Sequence, residues 1–364
     1  MKPFKIYFLF TLVFIQLNTI SFAQSINAFE VVVNKLVFFN ASRFSLIEQQ
    51  VIEDLNVGLD YVTYRDARGD YQVYYNGSKK MLTRGRTKVS MTNNFFAYQI
   101  ASVLRVFDKG ESTILTSYAG SYGVGDSLIV FQDRIGGNLK YFYKNEIVEF
   151  SQVLGDYMFS ENMVGENTFV FNEVGGNYKA FYQGHFTLLI STNQPVNFSA
   201  GMNIIAFNDP ENYTFSIFEK GEIIDVETQF VETYQTGYDF VFYRDNNGVN
   251  KVYYHGEIKD LGYDLQEVQI SDSIIFFKEA DYAHIWYDGE VYSIYNDQVK
   301  DFQVSGGSIA YINSSGGVSA LIRGKSVEIS RQKVQKYNLV GNTIALQYTP
   351  SSFSVWWNGK MFDY

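Results

Sequence analysis

Six acidic residues stand at the ends of apolar segments, where paired carboxylates could catalyse glycoside hydrolysis. All six occupy equivalent places in successive segments, each before a turn that contains Gly or Asn. A carboxylate in that place accepts a hydrogen bond from the backbone two residues on, so the pattern predicts turn-forming residues and no catalytic pair. The six residues are Asp66, Asp133, Glu173, Asp209, Asp245 and Glu279.

The three histidines do not have the spacing of a metal site. His185 and His255 are predicted in equivalent hairpin turns, and His284 at the start of a strand. No two of them share the i, i+2 or i, i+4 spacing of a metal-binding pair, and the chain has no cysteine that could add a thiolate. We therefore predict neither a metal site nor a His-based catalytic triad.

Glycine-rich segments are predicted to be structural as well. Ala119–Gly123 resembles a nucleophile elbow, but that motif needs the strand-to-helix turn of an α/β protein, so we predict an inter-strand loop here. Four Gly-Gly pairs also lie at loop positions, without the Lys-Ser/Thr of a phosphate-binding loop. They are Gly136-Gly137, Gly175-Gly176, Gly306-Gly307 and Gly316-Gly317. The sequence thus predicts no catalytic residue and no cofactor, and it leaves the binding residues unknown.

The N-terminal segment has the features of a cleaved signal peptide. Lys2 and Lys5 precede an apolar run from Ile6 to Ile15, and Ser21-Phe22-Ala23 has the small residues of a cleavage site. The run is shorter than the ~20 residues of a membrane-spanning helix. We predict that residues 1–23 are removed and that residues 24–364 form one repeat domain that does not span a membrane.

Composition restricts the classes of partner. The net charge is −10, and removal of Lys2 and Lys5 would make it −12. Binding to nucleic acid depends on Lys and Arg that neutralise phosphates, so nucleic acid is not expected as a partner. Aromatic residues make up 18% of the chain and prolines number only four, which favours packed β-sheet over disorder.

A large, mostly aromatic residue recurs ten times at a period of about 35 residues, which indicates a repeat architecture. A turn follows each copy, and Asn-Gly or Asp-Gly in that turn is typical of a two-residue β-hairpin. Before Gly110 and Gly221 the spacing predicts a turn that is one residue longer. The ten positions are Phe39, Tyr75, Phe107, Tyr143, Tyr182, Phe218, Tyr254, Tyr287, Ile322 and Trp357.

The strands inside each repeat are apolar on both faces, as in the runs from Phe240 to Tyr243 and from Val355 to Trp357. Antiparallel strands with one wet face alternate apolar with polar residues. Small four-stranded sheets stacked around an axis are instead covered on both faces. From Phe29 to Tyr364 the chain therefore resembles the β-propeller class, without the signature of a particular blade family.

The resemblance implies an all-β propeller of about 8–10 short four-stranded blades, with two smaller tandem propellers as the alternative. The first unit is truncated and the chain ends inside its last hairpin, so we expect the two ends to complete a shared blade. Ring closure should then bury Trp356 and Trp357. The segment Thr192–Pro210 carries two of the four prolines and departs from the repeat, which makes it the predicted contact surface.

These features together favour a non-enzymatic exported protein. It would act in the periplasm as a scaffold or plug that binds a protein of the envelope or outer membrane, for example as an accessory subunit of a type IX-like secretion complex. Secretion from the cell is the alternative location. Glycan binding or glycoside hydrolysis is the alternative function, and hydrolysis would need two carboxylates ~5–10 Å apart in an axial pocket.

Overall fold

The computed structural model describes residues 26–364 apart from 32–34, 86 and 296–298, so the predicted signal peptide lies outside the described residues. The described chain consists of 38 strands and one 3-10 helix, Glu161–Met163. The strands form ten antiparallel sheets, each built from consecutive strands, which confirms the all-β propeller. No helix in the described ranges is long and apolar enough to cross a membrane.

Eight of the ten blades have four strands, and the first and fifth have three. Blades one to five comprise β1 (Ile26–Val31), β2 (Lys35–Asn40), β3 (Arg43–Glu48); β4 (Glu53–Val57), β5 (Tyr61–Arg65), β6 (Asp70–Tyr75), β7 (Ser78–Arg84); β8 (Lys88–Met91), β9 (Phe96–Ile100), β10 (Val103–Asp108), β11 (Glu111–Thr116); β12 (Ala119–Val124), β13 (Leu128–Asp133), β14 (Asn138–Tyr143), β15 (Glu146–Gln152); and β16 (Thr168–Glu173), β17 (Asn177–Tyr182), β18 (His185–Ser191).

Blades six to ten each have four strands in chain order. They comprise β19 (Phe198–Ala200), β20 (Ile204–Asp209), β21 (Thr214–Glu219), β22 (Glu222–Glu227); β23 (Thr233–Thr236), β24 (Phe240–Arg244), β25 (Asn250–Tyr254), β26 (Glu257–Gly262); β27 (Gln266–Ser271), β28 (Ile274–Glu279), β29 (Tyr282–Tyr287), β30 (Glu290–Tyr295); β31 (Lys300–Ser305), β32 (Ser308–Ile312), β33 (Val318–Ile322), β34 (Lys325–Ser330); and β35 (Lys336–Val340), β36 (Thr343–Thr349), β37 (Ser352–Trp357), β38 (Lys360–Asp363).

The last two strands of every blade are joined by a two-residue turn, as in Asn76-Gly77 with φ of 46° and 78°. Both residues have positive φ in all ten described turns, which is the type I′ geometry that suits the twist of a hairpin. The prediction of longer turns before Gly110 and Gly221 is wrong. Asp108 pairs with Glu111, and Glu219 pairs with Glu222, so an acid takes the place of the aromatic residue there.

Four of the six acids at strand ends form turns as predicted. The carboxylates of Asp66, Asp133, Asp209 and Asp245 each accept a backbone N–H two residues on, at 2.8 to 3.1 Å. The prediction is wrong for the two glutamates, whose longer side chains reach neighbouring strands instead. Glu173 pairs with Lys179 at 2.7 Å, and Glu279 lies 4.0 Å from His284.

Replacing Asp245 with alanine is expected to lower the free energy of unfolding by about 2 kcal/mol, because Asp245 is buried and its partners would lose their acceptor. These partners are the N–H groups of Asn247 and Val249, both at 2.9 Å, and the Lys251 ammonium at 2.9 Å. Urea unfolding measures the change. Asp245→Asn keeps one acceptor oxygen and should lose less. Equal losses in the two variants would contradict the turn role.

Neighbouring sheets pack face to face, which explains why their strands are apolar on both sides. Between blades seven and eight, Phe240 and Val252 meet Ile275, Phe277 and Trp286 in one buried cluster. The rings of Phe240 and Trp286 lie 4.8 Å apart. Contacts of this kind recur around the chain, and each blade is stabilised by burial against both of its neighbours.

The ring closes between the first and tenth blades. Buried Asn27 donates to the backbone oxygen of Asn338 at 3.1 Å, and its own side-chain oxygen accepts from Asn338 at 3.0 Å. Thr343 donates to the backbone oxygen of Ile26 at 3.2 Å. One ring of ten blades is therefore formed, and the alternative of two tandem propellers is wrong.

The expected shared blade is also wrong for the described chain, because its first strand, β1, and its last strand, β38, belong to separate sheets. Blade one, with three described strands, and blade ten instead pack against each other as neighbours, with the rings of Phe39 and Trp357 6.4 Å apart. Trp356 and Trp357 are half-buried and not enclosed as expected. The most enclosed tryptophan is Trp286, which is 1% exposed.

Candidate functional site

Alternating strand directions give the ring two different rims. The turns between first and second strands, and between third and fourth strands, lie on what we call the upper rim. The turns between second and third strands, and the connections between blades, lie on the opposite lower rim.

On the upper rim, the turns between first and second strands stack on one another near the axis. The N–H of Gly125 donates to the Leu128 oxygen at 2.9 Å, and Gly165 donates equivalently to Thr168 at 2.9 Å. A Cβ added to Gly125 would lie 2.0 Å from the backbone oxygen of Gly165, so only glycine fits there. Close stacking of these turns brings the residue after each glycine to the axis.

Five polar residues in the second position of such turns meet across the ring and form what we call the axial cluster: Asn93, Asp126, Glu166, Tyr238 and Asp272. Asp126 accepts from the Tyr238 hydroxyl at 2.5 Å and from the Asn93 backbone N–H at 2.8 Å. The Asn93 amide lies 3.3 Å from Asp126, 3.4 Å from Tyr238 and 3.5 Å from Asp272. Glu166 accepts from the Asp126 N–H at 3.2 Å. Blades three, four, five, seven and eight are thereby cross-linked at the axis.

The cluster changes the proton affinities of its members. Burial, together with the charges of Asp126 and Asp272, raises the pKa of Glu166 to about 7. Burial and the Asp126 charge raise the pKa of Asp272 to about 6, although a hydrogen bond from Asn93 opposes this. Burial and the same two aspartates raise the pKa of the Tyr238 hydroxyl well above its ordinary value. Some of the carboxyl groups in the axial cluster are therefore protonated near pH 7.

The axial cluster borders a cavity of about 720 Å³ that is also lined by Phe142 and Tyr143. Its carboxylates nevertheless take part in hydrogen bonds between blades, and Asp126 uses both of its oxygens in this way. Within the described chain, no three acidic or histidine side chains are arranged to hold a metal ion. The axial cluster therefore acts as a hydrogen-bonded cross-link between blades.

On the lower rim, large apolar side chains are exposed. Every large hydrophobic residue of the described chain that is more than half exposed lies in a second–third strand turn or in a connection between blades. The most exposed is Leu154, followed by Met158 and Val174 at 76% each. The complete set is Val51, Tyr118, Ile135, Leu154, Met158, Val174, Tyr213 and Tyr263. A contiguous apolar patch on a protein surface marks an interaction site, and these side chains all share one rim.

The segment predicted as a contact surface, Thr192–Pro210, lies partly within a blade. Of Thr192–Pro210, Phe198–Ala200 and Ile204–Asp209 are strands of the sixth blade, and the connection that includes Pro195 is exposed. The longer irregular connection runs from residue 153 to residue 167 and holds both Leu154 and Met158. Its apolar residues resembled core residues in the sequence.

The other predicted positions carry no common site. His255 lies in a hairpin turn with φ of 50°, whereas His185 is the first residue of β18, so the two are not equivalent. His284 lies inside β29, with a ring nitrogen 2.9 Å from the Ser293 hydroxyl. Ala119–Gly123 belongs to strand β12 and not to a loop.

Three solved structures are similar to this chain at low sequence identity. The computationally designed Ika8 protein is 14% identical, with a TM-score of 0.34, over 84% of this chain and 96% of its own. Prp20p from Saccharomyces cerevisiae is 9% identical, with a TM-score of 0.32, over 58% of this chain and 76% of its own. PorZ of Porphyromonas gingivalis, a surface component of a type-IX secretion system, is 8% identical, with a TM-score of 0.27, over 94% of this chain and 59% of its own.

No curated protein matches the sequence. A family match does exist, and it extends over residues 20–362, which is nearly the whole chain. It agrees with the ten sheets and with the closure between the first and the tenth. The chain belongs to the family of the 10-bladed beta propeller domain.

Proposed function

We propose that this protein is an exported, non-enzymatic scaffold that binds a partner protein through its lower rim. The observation that carries the proposal is that, among the described residues, every large apolar side chain that is more than half exposed lies on that rim. Burial of such side chains against a partner releases about 25 cal/mol per Å² of apolar surface. The predicted export places the partner in the cell envelope, where an outer-membrane or secretion complex of the type IX kind is the proposed assembly.

The fourth and fifth blades offer the densest part of this surface. Ile135 and Val174 lie in equivalent turns of these neighbouring blades, and Leu154 and Met158 lie in the connection between them. All four are more than 60% exposed. A continuous apolar contact at this place would supply the buried centre that stable protein interfaces require.

The double substitution Leu154→Glu and Val174→Glu is expected to reduce recovery of an envelope partner at least tenfold. Purified protein with a tag after Tyr364 would be immobilised and exposed to detergent-solubilised envelope membranes, and bound proteins would be quantified by mass spectrometry. The matched control is Met81→Glu with Ile114→Glu, on outer strands, where the side chains are 47% and 48% exposed.

Equal recovery with both double variants would contradict a lower-rim interface. Recovery of the wild-type protein with no stoichiometric partner would contradict the scaffold function itself. Because all four substituted side chains are at least 47% exposed, the variants should fold like the wild type. Their circular dichroism spectra and urea midpoints check this directly.

A glycan-active protein is the second candidate, because the 720 Å³ axial cavity holds Glu166, with its pKa near 7, beside Asp126. A raised pKa is what a general acid in glycoside hydrolysis needs. Against this candidate, the same carboxylates hold the blades together. We expect no hydrolysis of a polysaccharide panel at pH 5 to 8. Hydrolysis that Glu166→Gln abolishes would instead establish the second candidate.

A further inference from the structure

Two aromatic rings are stacked and exposed on the lower rim of the sixth blade. Tyr213 lies in the turn between β20 and β21, and Phe230 lies in the connection between β22 and β23. Their ring centroids are 5.9 Å apart at an interplanar angle of 21°, and the two residues are 68% and 40% exposed. In every other stacked aromatic pair of the described chain, at least one ring is buried or half-buried. Packing inside a core explains those pairs but not this one.

Tyr213 holds a backbone conformation that costs free energy. Its φ is 60°, and among the described residues no other Phe, Tyr or Trp has a positive φ. Its N–H donates to the backbone oxygen of the acid that ends the strand. In the equivalent turns of blades two, seven and nine, the residue that makes this hydrogen bond is Gly69, Gly248 or Gly316, also with positive φ. Glycine adopts this conformation without strain, whereas a bulky side chain is unusual there. Strain that is kept at an exposed position indicates a functional contact.

The end of β20 holds the backbone that carries both rings. The Asp209 carboxylate accepts two backbone hydrogen bonds within the turn, at 2.8 and 3.1 Å, and its backbone oxygen accepts from the Tyr213 N–H at 2.8 Å. The side chain of Asn208 accepts from the Val231 N–H and donates to the Val231 oxygen, both at 3.1 Å. This second pair of hydrogen bonds fixes the connection that carries Phe230. Rings that are held in place before binding lose little conformational entropy when a ligand arrives.

A cavity of about 180 Å³ lies beside Phe230, between blades six and seven. Pockets for drug-sized ligands have about 300–1,000 Å³, so this cavity suits a smaller unit such as one monosaccharide. Among the described residues that line it, Phe230 and Val231 are apolar and the others are polar. The exposed polar side chains of the lining are Thr228, Gln229, Asn246 and Asn247. Amide and hydroxyl groups both donate and accept hydrogen bonds, as the hydroxyl groups of a sugar require.

The two carboxylates that line the cavity are paired within the protein. The Lys251 ammonium lies 2.8 Å from Glu227 and 2.9 Å from Asp245. Glu227 also accepts from the Tyr243 hydroxyl at 2.9 Å. Because these carboxylates share an internal cation, they attract a Lys or Arg side chain of a ligand less than free carboxylates would. The cavity therefore favours a neutral ligand that is rich in hydroxyl groups.

We propose that Tyr213, Phe230 and the adjoining cavity bind a neutral saccharide. One sugar ring stacks on the exposed aromatic rings, because its C–H groups carry a small positive charge and the face of an aromatic ring is negative. The hydroxyl groups of the saccharide form hydrogen bonds with the amide side chains of the cavity. This site goes beyond the scaffold function proposed above, since it uses blades six and seven and neither the apolar side chains of blades four and five nor the axial cavity.

The test uses saturation-transfer NMR with the purified protein and four tetrasaccharides, built from glucose, mannose, galactose or N-acetylglucosamine. At least one of them should receive saturation on its ring C–H protons and bind with a Kd of about 1 mM or tighter. Phe230→Ala and Tyr213→Gly should each weaken this binding by about tenfold or more, as expected for an aromatic residue at the centre of a binding site. Tyr364→Ala is the control and should bind like the wild type, because Tyr364 is 49% exposed but follows the last strand of blade ten.

Tyr213→Gly also separates a binding role of the ring from a structural one. If the ring is kept for binding, glycine relieves the backbone strain, so the urea midpoint should be unchanged or higher while saccharide binding is lost. If the ring is kept for its packing against Phe230, the midpoint should fall instead. A lower midpoint together with wild-type saccharide binding would overturn the proposal.

Other results would overturn the proposal as well. One is the absence of binding to all four tetrasaccharides, and another is equal binding by Phe230→Ala and Tyr364→Ala. Binding of labelled hexalysine that Phe230→Ala abolishes would identify a site for cations and would also overturn the proposal. The double variant Leu154→Glu and Val174→Glu should lose the envelope partner and still bind the saccharide, so the failure of one proposal can be recognised independently of the other.

Discussion

Replacing Asp126 with alanine is expected to lower the free energy of unfolding by about 3 kcal/mol, the largest loss we expect from one polar side chain of this protein. The variant removes the acceptor of the Tyr238 hydroxyl and of the Asn93 backbone N–H. Each donor left without a partner costs about 1–3 kcal/mol. Urea unfolding followed by tryptophan fluorescence measures the loss, because Trp286 is enclosed between two blades.

Two variants show whether the loss comes from the cross-axis contact. Tyr238→Phe removes only the hydroxyl and should lower the stability by about 1 kcal/mol. Added to Asp126→Ala, the same substitution should have little further effect, because its acceptor is already absent. Additive losses in the double variant would show that the two side chains act separately, which would contradict a stabilising hydrogen bond between Tyr238 and Asp126.

The fold could be predicted because its main determinant is visible in the sequence. Face-to-face packing needs strands that are apolar on both sides, and runs such as Phe240–Tyr243 show this without any knowledge of distant contacts. The period of about 35 residues then follows from four short strands and their turns. The number of blades and the single ring could be confirmed only where Asn27 meets Asn338, 311 residues apart.

Register within the repeat could not be read from residue type alone. In most blades a large apolar residue precedes the hairpin turn, but Asp108 and Glu219 hold that place in the third and sixth blades. Their neighbours Phe107 and Phe218 are the buried residues, so the aromatic pattern was shifted by one position. Backbone pairing decides the register, and the half-buried position before the turn tolerates an acid.

The axial cluster was missed because its members are distant in sequence. Asn93 and Asp272 are 179 residues apart and meet only when the ring is closed. A signal was present, since strands often begin after Asp or Asn, as β13 does after Asp126 and Ser127. The six acids that we considered as a possible catalytic pair lie at the other ends of the second strands. The axial-cluster residues differ from the acids at strand ends because only the cluster residues lie at the axis. That placement depends on the order of the blades in the ring.

The exposure of apolar side chains on the lower rim could also not be predicted from the sequence. Leu154, Met158 and Val174 are of the same types as core residues, and only the structure shows that they face solvent. In a ring whose strands already cover one another, these side chains have no blade left to pack against. In the described chain, all the large apolar side chains that are more than half exposed therefore lie on the rim opposite the axial cluster.

Replacing Glu166 with glutamine is expected to stabilise the ring by about 2–3 kcal/mol at pH 8 and to have little effect at pH 4.5. Because the folded-state pKa is near 7 and the ordinary value is 4.5, the folded chain holds this proton more tightly than the unfolded chain. Wild-type stability therefore falls as pH rises from 4.5 to 7. Glutamine cannot ionise, yet it keeps an acceptor for the Asp126 N–H.

The measurement is the urea midpoint of both proteins at pH 4.5, 6 and 8, with Glu161→Gln as the control, since Glu161 is exposed on the preceding 3-10 helix. The control should follow the wild type at every pH. A gain from Glu166→Gln that is equal at pH 4.5 and pH 8 would show that Glu166 is not the titrating group. A gain that grows with pH would mean that ionisation of the axial cluster loosens the contact between blades four and five, so the axial cluster holds these blades most tightly at mildly acidic pH.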